Sequence, residues 1–490
     1  MFVESSRKPL FIASLAVSTL AAVAAPVPAH AAPASRTVRV KSFDGVAIVT
    51  HFFRAPGLKK GRRQPVIMLG HGWGGRGETD RKAGQLGPLL KAGYNVVTWN
   101  ARGFGSGGAA SVDDPRVEGR DVRKLIDWVA RQPEVKLDGR RDPRLGMAGP
   151  SYGGAIQLVA AGLDKRVDVI VPMVAFNSVE TSLYRDRIFR AGWGLLLCSS
   201  GFLQGNKMDS KVRQACATGL ASGTLTPDTE QWFREHGPAY LVKRIKIPTL
   251  ILQGTVDTLF TLREGIANYR TVKGNHAPVK MIWFCGGHGI CDDEAGPADR
   301  LTDATIAWFG RYLRRDRTVR TGAAFEYIDQ HGVYRTAKSY PMRPAGSVRA
   351  TGSGSLAFSR EDINPYIDRK PPAQGKGGLP FPPYVMRAEV AKKAVNIPLK
   401  TPGRFAQTVG TPTLTLHYKG TSARPRTALF AQVVDRGTGR VVGNQATPLP
   451  VVLDGRDRTV TRTLEALSYT LGPGTDLELQ IVPITGLFDW

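Results

Sequence analysis

Apolar and polar positions fall into three successive patterns along the chain. The runs TVRVKSF and VAIVTHFF flank Asp44-Gly45 and predict an antiparallel hairpin. Short apolar runs then alternate with segments of helical period. PVIMLG (65–70), YNVVTWN (94–100), RLGMAG (144–149), VDVIVPMVA (167–175), TLILQG (249–254) and VKMIWF (279–284) predict buried strands. Residues 81–92, 115–131, 152–162 and 299–314 predict helices. Such alternation predicts a mostly parallel sheet covered on both faces, with the hairpin as its antiparallel edge. Between Phe176 and Arg244 it stops for about seventy residues, too many for a simple connection, and an inserted helical cap is expected there.

Beyond residue 320 the pieces AFEYID, SLAF, PTLTLHY, ALFAQVVD, TVTRTLEAL and LELQIVPI are strand-like and separated by Gly, Asp and Pro turns. They predict a β-sandwich over 321–490, behind an α/β domain over 32–320 whose cap spans about 176–244. NPYIDRKPPAQGKGGLPFPPY (364–384) reads as an exposed loop. A length of 490 residues, 42% of them hydrophobic, suits two cores better than one.

The first residues add a compartment. Arg7 and Lys8 precede an apolar stretch from Leu10 to Ala25 and the small-residue site Ala29-His30-Ala31, which predicts a cleaved secretory signal over 1–31. The stretch falls short of the roughly 20 residues that span a bilayer. Export permits disulfides, and proximity favours Cys198 with Cys216 and Cys285 with Cys291; buried free thiols are the alternative. No C-x-x-C or clustered His/Cys spacing suggests a metal site, and no cofactor is expected. The net charge of +26 is concentrated at Lys59-Lys60-Gly61-Arg62-Arg63 and in RYLRRDRTVR (311–320). It reads as a solvated basic face that can associate with an anionic cell envelope. No helix-turn-helix or RNP pattern supports a nucleic-acid partner.

The candidate chemistry begins at GPSYGG (149–154), directly after a predicted strand. G-x-S-x-G at a strand-to-helix turn holds a serine exposed as a nucleophile, here Ser151. Serine needs a base and an orienting acid, in the chain order Ser, Asp or Glu, His. Asp257, just beyond TLILQG, and His288 in CGGHG, just beyond VKMIWF, stand in that order at the same sheet edge. Rival bases His236, His276 and His331 lie in loops or in the expected β domain, and Asp292 and Asp293 follow the histidine. An oxyanion hole needs backbone N–H donors, assigned to Tyr152 and, in HGWGG (71–75), to Trp73, with the indole lining the pocket. Arg102 in NARGFGSG receives no catalytic part. The disulfide Cys285–Cys291 would hold the glycine-rich loop around His288.

These residues resemble the α/β-hydrolase superfamily and, more narrowly, the cocaine-esterase and X-prolyl dipeptidyl-peptidase (CocE/NonD) family of serine hydrolases. The narrower resemblance rests on three stretches: Gly149, Ser151, Tyr152 and Gly154 in G-x-S-Y-x-G; PAYLVKRIKIPTLILQGTVD, ending at Asp257; and GVYRTAKSYP (332–341), similar to the family's entry into a C-terminal jelly roll. It implies an α/β-hydrolase fold with an inserted helical cap, followed by a jelly-roll-like β-sandwich. It also implies an acyl-enzyme on Ser151 and a small-molecule ester or short peptide as substrate. The chain departs from the family in carrying Trp73 where members commonly place a tyrosine hydroxyl in the oxyanion hole. No residues to bind a peptide's free amino terminus can be named. Ester hydrolysis is therefore expected ahead of X-prolyl dipeptide cleavage. An acyltransferase with the same triad and a non-catalytic envelope-binding protein are the alternatives.

Overall fold

The computed structural model describes residues 34–202, 205–358 and 387–488. The expected signal at 1–31 and the expected loop at 364–384 lie outside the described residues. The first twelve strands are β1 (Ser35–Lys41), β2 (Ala47–Phe53), β3 (Val66–Leu69), β4 (Asn95–Trp99), β5 (Leu137–Gly139), β6 (Asp142–Pro143), β7 (Leu145–Pro150), β8 (Val167–Met173), β9 (Thr249–Gly254), β10 (Val279–Phe284), β11 (Phe325–Ile328) and β12 (Tyr334–Ala337). All but the small β5–β6 hairpin form one 10-stranded sheet in the order β1-β2-β4-β3-β7-β8-β9-β10-β11-β12. From β4 to β11 its neighbours run parallel. Every residue of β3, β4 and β9 is buried, as strands covered on both faces require, whereas edge strand β1 alternates.

Helices α1 (Leu86–Lys91), α2 (Glu118–Val129) and α3 (Tyr152–Leu163) connect the first parallel strands. Leu125 of α2 and Leu158 of α3 fill the core on one sheet face with Met68 and Ile170. Leu86 of α1 packs with Trp308 and Phe309 on the other face, where they meet Ile67 and Leu250. Between β8 and β9 the cap forms four helices, α4 (Val179–Leu183), α5 (Ala191–Phe202), α6 (Ser210–Ser222) and α7 (Pro227–Glu235). Its own core of Phe189, Trp193 and Phe233 continues into Phe176 and Phe260 of the sheet domain. Helices α8 (Leu262–Gly274) and α9 (Arg300–Tyr312) complete the α/β layer.

The last strands are β13 (Val395–Leu399), β14 (Ala406–Gly410), β15 (Thr413–Tyr418), β16 (Thr421–Asp435), β17 (Arg440–Val441), β18 (Thr447–Asp454), β19 (Arg458–Thr463), β20 (Leu467–Leu471) and β21 (Leu477–Val482). They pair antiparallel throughout, in a five-stranded sheet and two ribbons that make a sandwich-like domain. No helix among the described residues is long and apolar enough to cross a membrane.

Three expectations change. The α/β sheet does not stop at residue 320: Phe325 pairs with Met281, and β12 then closes the sheet. AFEYID, and the start of GVYRTAKSYP, therefore belong to the first domain, because fully buried Phe325 fits beside Trp283. SLAF forms no strand. Helix α8 was absent from the pattern, since Gly265 interrupts it; a Cβ there would meet the Gln253 side chain at 2.8 Å.

Candidate active site

Ser151 sits on the turn between β7 and α3 with φ 58° and ψ −121°, a strained conformation for a residue other than glycine. Its N–H donates to the Met173 carbonyl at 2.8 Å, pinning the turn to β8. A Cβ on Gly153 would stand 2.4 Å from the Gly70 carbonyl carbon, so only glycine lets α3 begin against the end of β3. The turn thus projects the hydroxyl at the carboxyl edge of the sheet.

The loops after β9 and β10 meet it there. His288 Nε2 lies 2.9 Å from Ser151 Oγ, and Nδ1 lies 2.8 Å from Asp257 Oδ2. Asp257 is fully buried, and its other oxygen accepts from the N–H groups of Leu259 at 3.0 Å and Phe260 at 2.8 Å. The carboxylate is an acceptor, so Nδ1 carries the proton and Nε2 faces the hydroxyl as a base. Gly287 has φ 114° and a Cβ there would stand 2.6 Å from Asp257 Cβ, so the histidine loop reaches the acid only as glycine. Cys285 and Cys291 close that loop with their α-carbons 5.6 Å apart, and Cys198 and Cys216 join α5 to α6 at 6.0 Å. Phe260 and Trp193 pack edge-on to the imidazole, with centroids at 4.9 and 5.8 Å.

The HGWGG loop lies beside the nucleophile, with a Cβ on Gly72 only 3.8 Å from Ser151 Cβ. His71 stiffens it: Nδ1 donates to the Gly72 carbonyl at 2.7 Å and Nε2 accepts from Ala101 N–H at 2.8 Å. Burial pushes this imidazole down to about 4, so it is neutral. The Trp73 indole donates to the Leu197 carbonyl at 3.0 Å, so only its backbone N–H is open to an oxyanion role. Tyr152 is the first residue of α3, where an N–H has no acceptor within the helix. The Tyr152 hydroxyl donates to Glu118 at 3.0 Å.

A cleft opens from Ser151 into the cap. Trp73, Val112, Phe176, Phe189, Phe233 and Phe260 shape it, and both Cys198 and Cys216 border it. Among the described residues its lining contains no charged side chain.

The match to the family model of the X-Pro dipeptidyl-peptidase (S15) family covers residues 44–289, half of the chain and all of this triad. The chain belongs to the S15 family. Solved structures extend the likeness in fold to the C-terminal domain. A CocE/NonD family hydrolase from Staphylococcus aureus aligns with TM-score 0.65 and 16% identity over 92% of this chain and 85% of its own. An aminopeptidase from a marine sediment archaeon, Thaumarchaeota archaeon, aligns with TM-score 0.70 and 13% identity over 95% and 92%. An α-amino acid ester hydrolase aligns with TM-score 0.62 and 16% identity over 95% and 92%.

The rival groups of this S15 chain are engaged elsewhere. His236 stacks on Trp232 at 3.6 Å and lies 3.2 Å from Asp114. His276 lies in the turn after α8 and His331 in the turn between β11 and β12. Asp292 pairs with Arg387 and Asp293 with Arg440. Arg102 is buried between Asp44 and Asp121. No cluster of three or more His, Cys, Asp or Glu able to hold a metal ion occurs among the described residues. Pattern reasoning missed Gln445, whose Nε2 donates to the Asp257 carbonyl at 2.8 Å from the C-terminal domain. It also missed Trp193, Glu118 and Val112. Gln445 and Trp193 act through contacts distant in sequence, and no pattern of apolar and polar positions sets Glu118 or Val112 apart.

Proposed function

We propose that the chain is a serine hydrolase that cleaves an ester of an apolar acyl group through an acyl-enzyme on Ser151. The observation that carries this reading is the Ser151–His288–Asp257 relay opening onto an uncharged cleft. His288 takes the Ser151 proton as Oγ attacks the acyl carbon, and Asp257 stabilises the imidazolium so formed. The tetrahedral oxyanion is received by the N–H groups of Tyr152 and Trp73. Collapse expels the alcohol, which takes the proton from His288. Water then enters, loses a proton to His288 and attacks the acyl carbon; collapse breaks the bond to Oγ, His288 returns the proton to Ser151, and the acid leaves.

Ester cleavage is favoured over removal of an X-prolyl dipeptide because a substrate ammonium needs a carboxylate partner once desolvated. The cleft offers none among its described lining residues. The family name and the aminopeptidase likeness make the peptidase the reading to test against. Two disulfides fit an extracellular protein, and export through the segment 1–31 is part of the proposal. Purified enzyme should label with a fluorophosphonate at Ser151 and turn over p-nitrophenyl butyrate faster than glycyl-proline p-nitroanilide. The opposite preference would return the chain to the dipeptidyl-peptidase reading.

A further inference from the structure

The turn Ser111–Asp114, ahead of α2, holds two consecutive residues other than glycine in the left-handed region: Val112 at φ 53° and Asp113 at φ 56°. A β-branched side chain is the costliest occupant of that region, where glycine or asparagine sits freely. Backbone in such a state persists only where its surroundings over-determine it. Here they do. Glu118 accepts Ser111 N–H and the Tyr152 hydroxyl on one oxygen and Asp114 N–H on the other. The cap grips the same turn from outside: Ala110 N–H donates to the Lys207 carbonyl at 2.8 Å, and Asp209 N–H donates to the Ala110 carbonyl at 2.9 Å. Asp114 meets His236 at the end of α7.

This double clamp delivers one side chain to the cleft. Val112 lines it together with Ser151 and packs against both apolar clusters of the cap, including the one built around Cys198 and Cys216. The turn also leaves Asp113 fully buried with neither carboxylate oxygen hydrogen-bonded. Backbone strain and an orphaned carboxyl group are both destabilising. A turn with only a connecting role would need neither.

We infer that Val112 is a specificity-determining residue, the wall of the cleft that limits the bulk of the acyl group, and that Glu118 is its positioning residue. The inference rests on the hydrolase reading above and refines its substrate class to esters whose apolar acyl group packs against Val112. Val112→Ala should raise the p-nitrophenyl octanoate-to-acetate ratio of kcat/KM about tenfold, and Val112→Ile should lower it. Val112→Gly removes the wall and relieves the backbone, so it should raise the ratio without lowering the melting temperature. Glu118→Ala leaves the Ser111 and Asp114 N–H groups without their acceptor and should move the ratio in the direction of Val112→Ala, chiefly through KM. Ratios within twofold of wild type in both the Ala and Ile variants would overturn the inference while fluorophosphonate labelling leaves the hydrolase reading standing. A wild-type protein that neither labels nor cleaves any ester would overturn the reading and the inference with it.

Discussion

The loop that carries His288 and the cap beside it are each closed by a disulfide, and the two closures act on different things. Cys285–Cys291 spans a sequence separation of 6 around the base of the relay, in a loop of three glycines. Cys198–Cys216 spans 18 and borders the apolar cleft. Around His288 polar groups are paired one by one: buried Asp257 takes three hydrogen bonds on its carboxylate and one on its carbonyl. The core of the cap is apolar and shared among Phe189, Trp193 and Phe233. Loops at the strand ends hold the polar triad with backbone donors, and the short cap helices shape the cleft with the apolar core between them. Changes in the first region should alter turnover, and changes in the second should alter stability and selectivity.

The largest break in that comparison is at the nucleophile. Ser151→Ala should lower kcat/KM by about a thousandfold or more, equivalent to roughly 4 kcal/mol, and leave the melting temperature nearly unchanged. Asp257→Asn should follow it in kcat, with Asp292→Asn near wild type; steady-state kinetics on one ester would show the ranking.

The disulfides come next. Loop-closure entropy makes the shorter bridge worth about 2 kcal/mol and the longer about 3 kcal/mol. Cys198→Ser should therefore cost more in denaturant midpoint. Cys285→Ser should cost more in turnover, about tenfold, because Gly286, Gly287 and Gly289 are then free to move the imidazole away from Ser151. Equal effects on turnover would dissolve the comparison.

Gln445→Ala sharpens it from the far side. This residue is buried in the C-terminal domain and donates to the Asp257 carbonyl of the relay. A fall in kcat of several-fold with KM little changed would show that the second domain supports the chemistry.

A separate break is a slope of stability with pH. Burial pushes the Glu118 carboxyl from 4.5 up to about 8, and the same cause raises neighbouring Asp113. The folded state then holds a proton that the unfolded state releases above about 4.5, so stability falls as pH rises from there to about 8. Each proton contributes up to about 1.4 kcal/mol per pH unit. Glu118→Gln should flatten the fall in denaturant midpoint between pH 5 and 8 by one proton's worth, with Asp113 supplying the remainder.

Much of the relay was legible because it obeys a local rule: residues just beyond the ends of parallel strands gather at one sheet edge whatever lies between them. Ser151, Asp257 and His288 each follow a continuous apolar run, and the cysteine partners are neighbours in the chain. Sequence by itself therefore determined the α/β-hydrolase fold with its inserted cap and the antiparallel character of the last domain, and it named the three residues that meet at one sheet edge. It misassigned AFEYID, since a strand of the right composition carries no mark of which sheet it joins, and β10 accepted it through Met281 and Phe325. Only tertiary structure decided that the Trp73 indole serves the Leu197 carbonyl, that Gln445 reaches Asp257 across 188 positions, and that Glu118 holds Val112 in a conformation valine avoids. The physical reason is common to the first two and applies to Glu118 through its bond from the Tyr152 hydroxyl, 34 positions away. Periodicity and spacing report which face of an element is apolar, whereas a hydrogen bond between distant elements depends on how whole layers pack, which no local window contains.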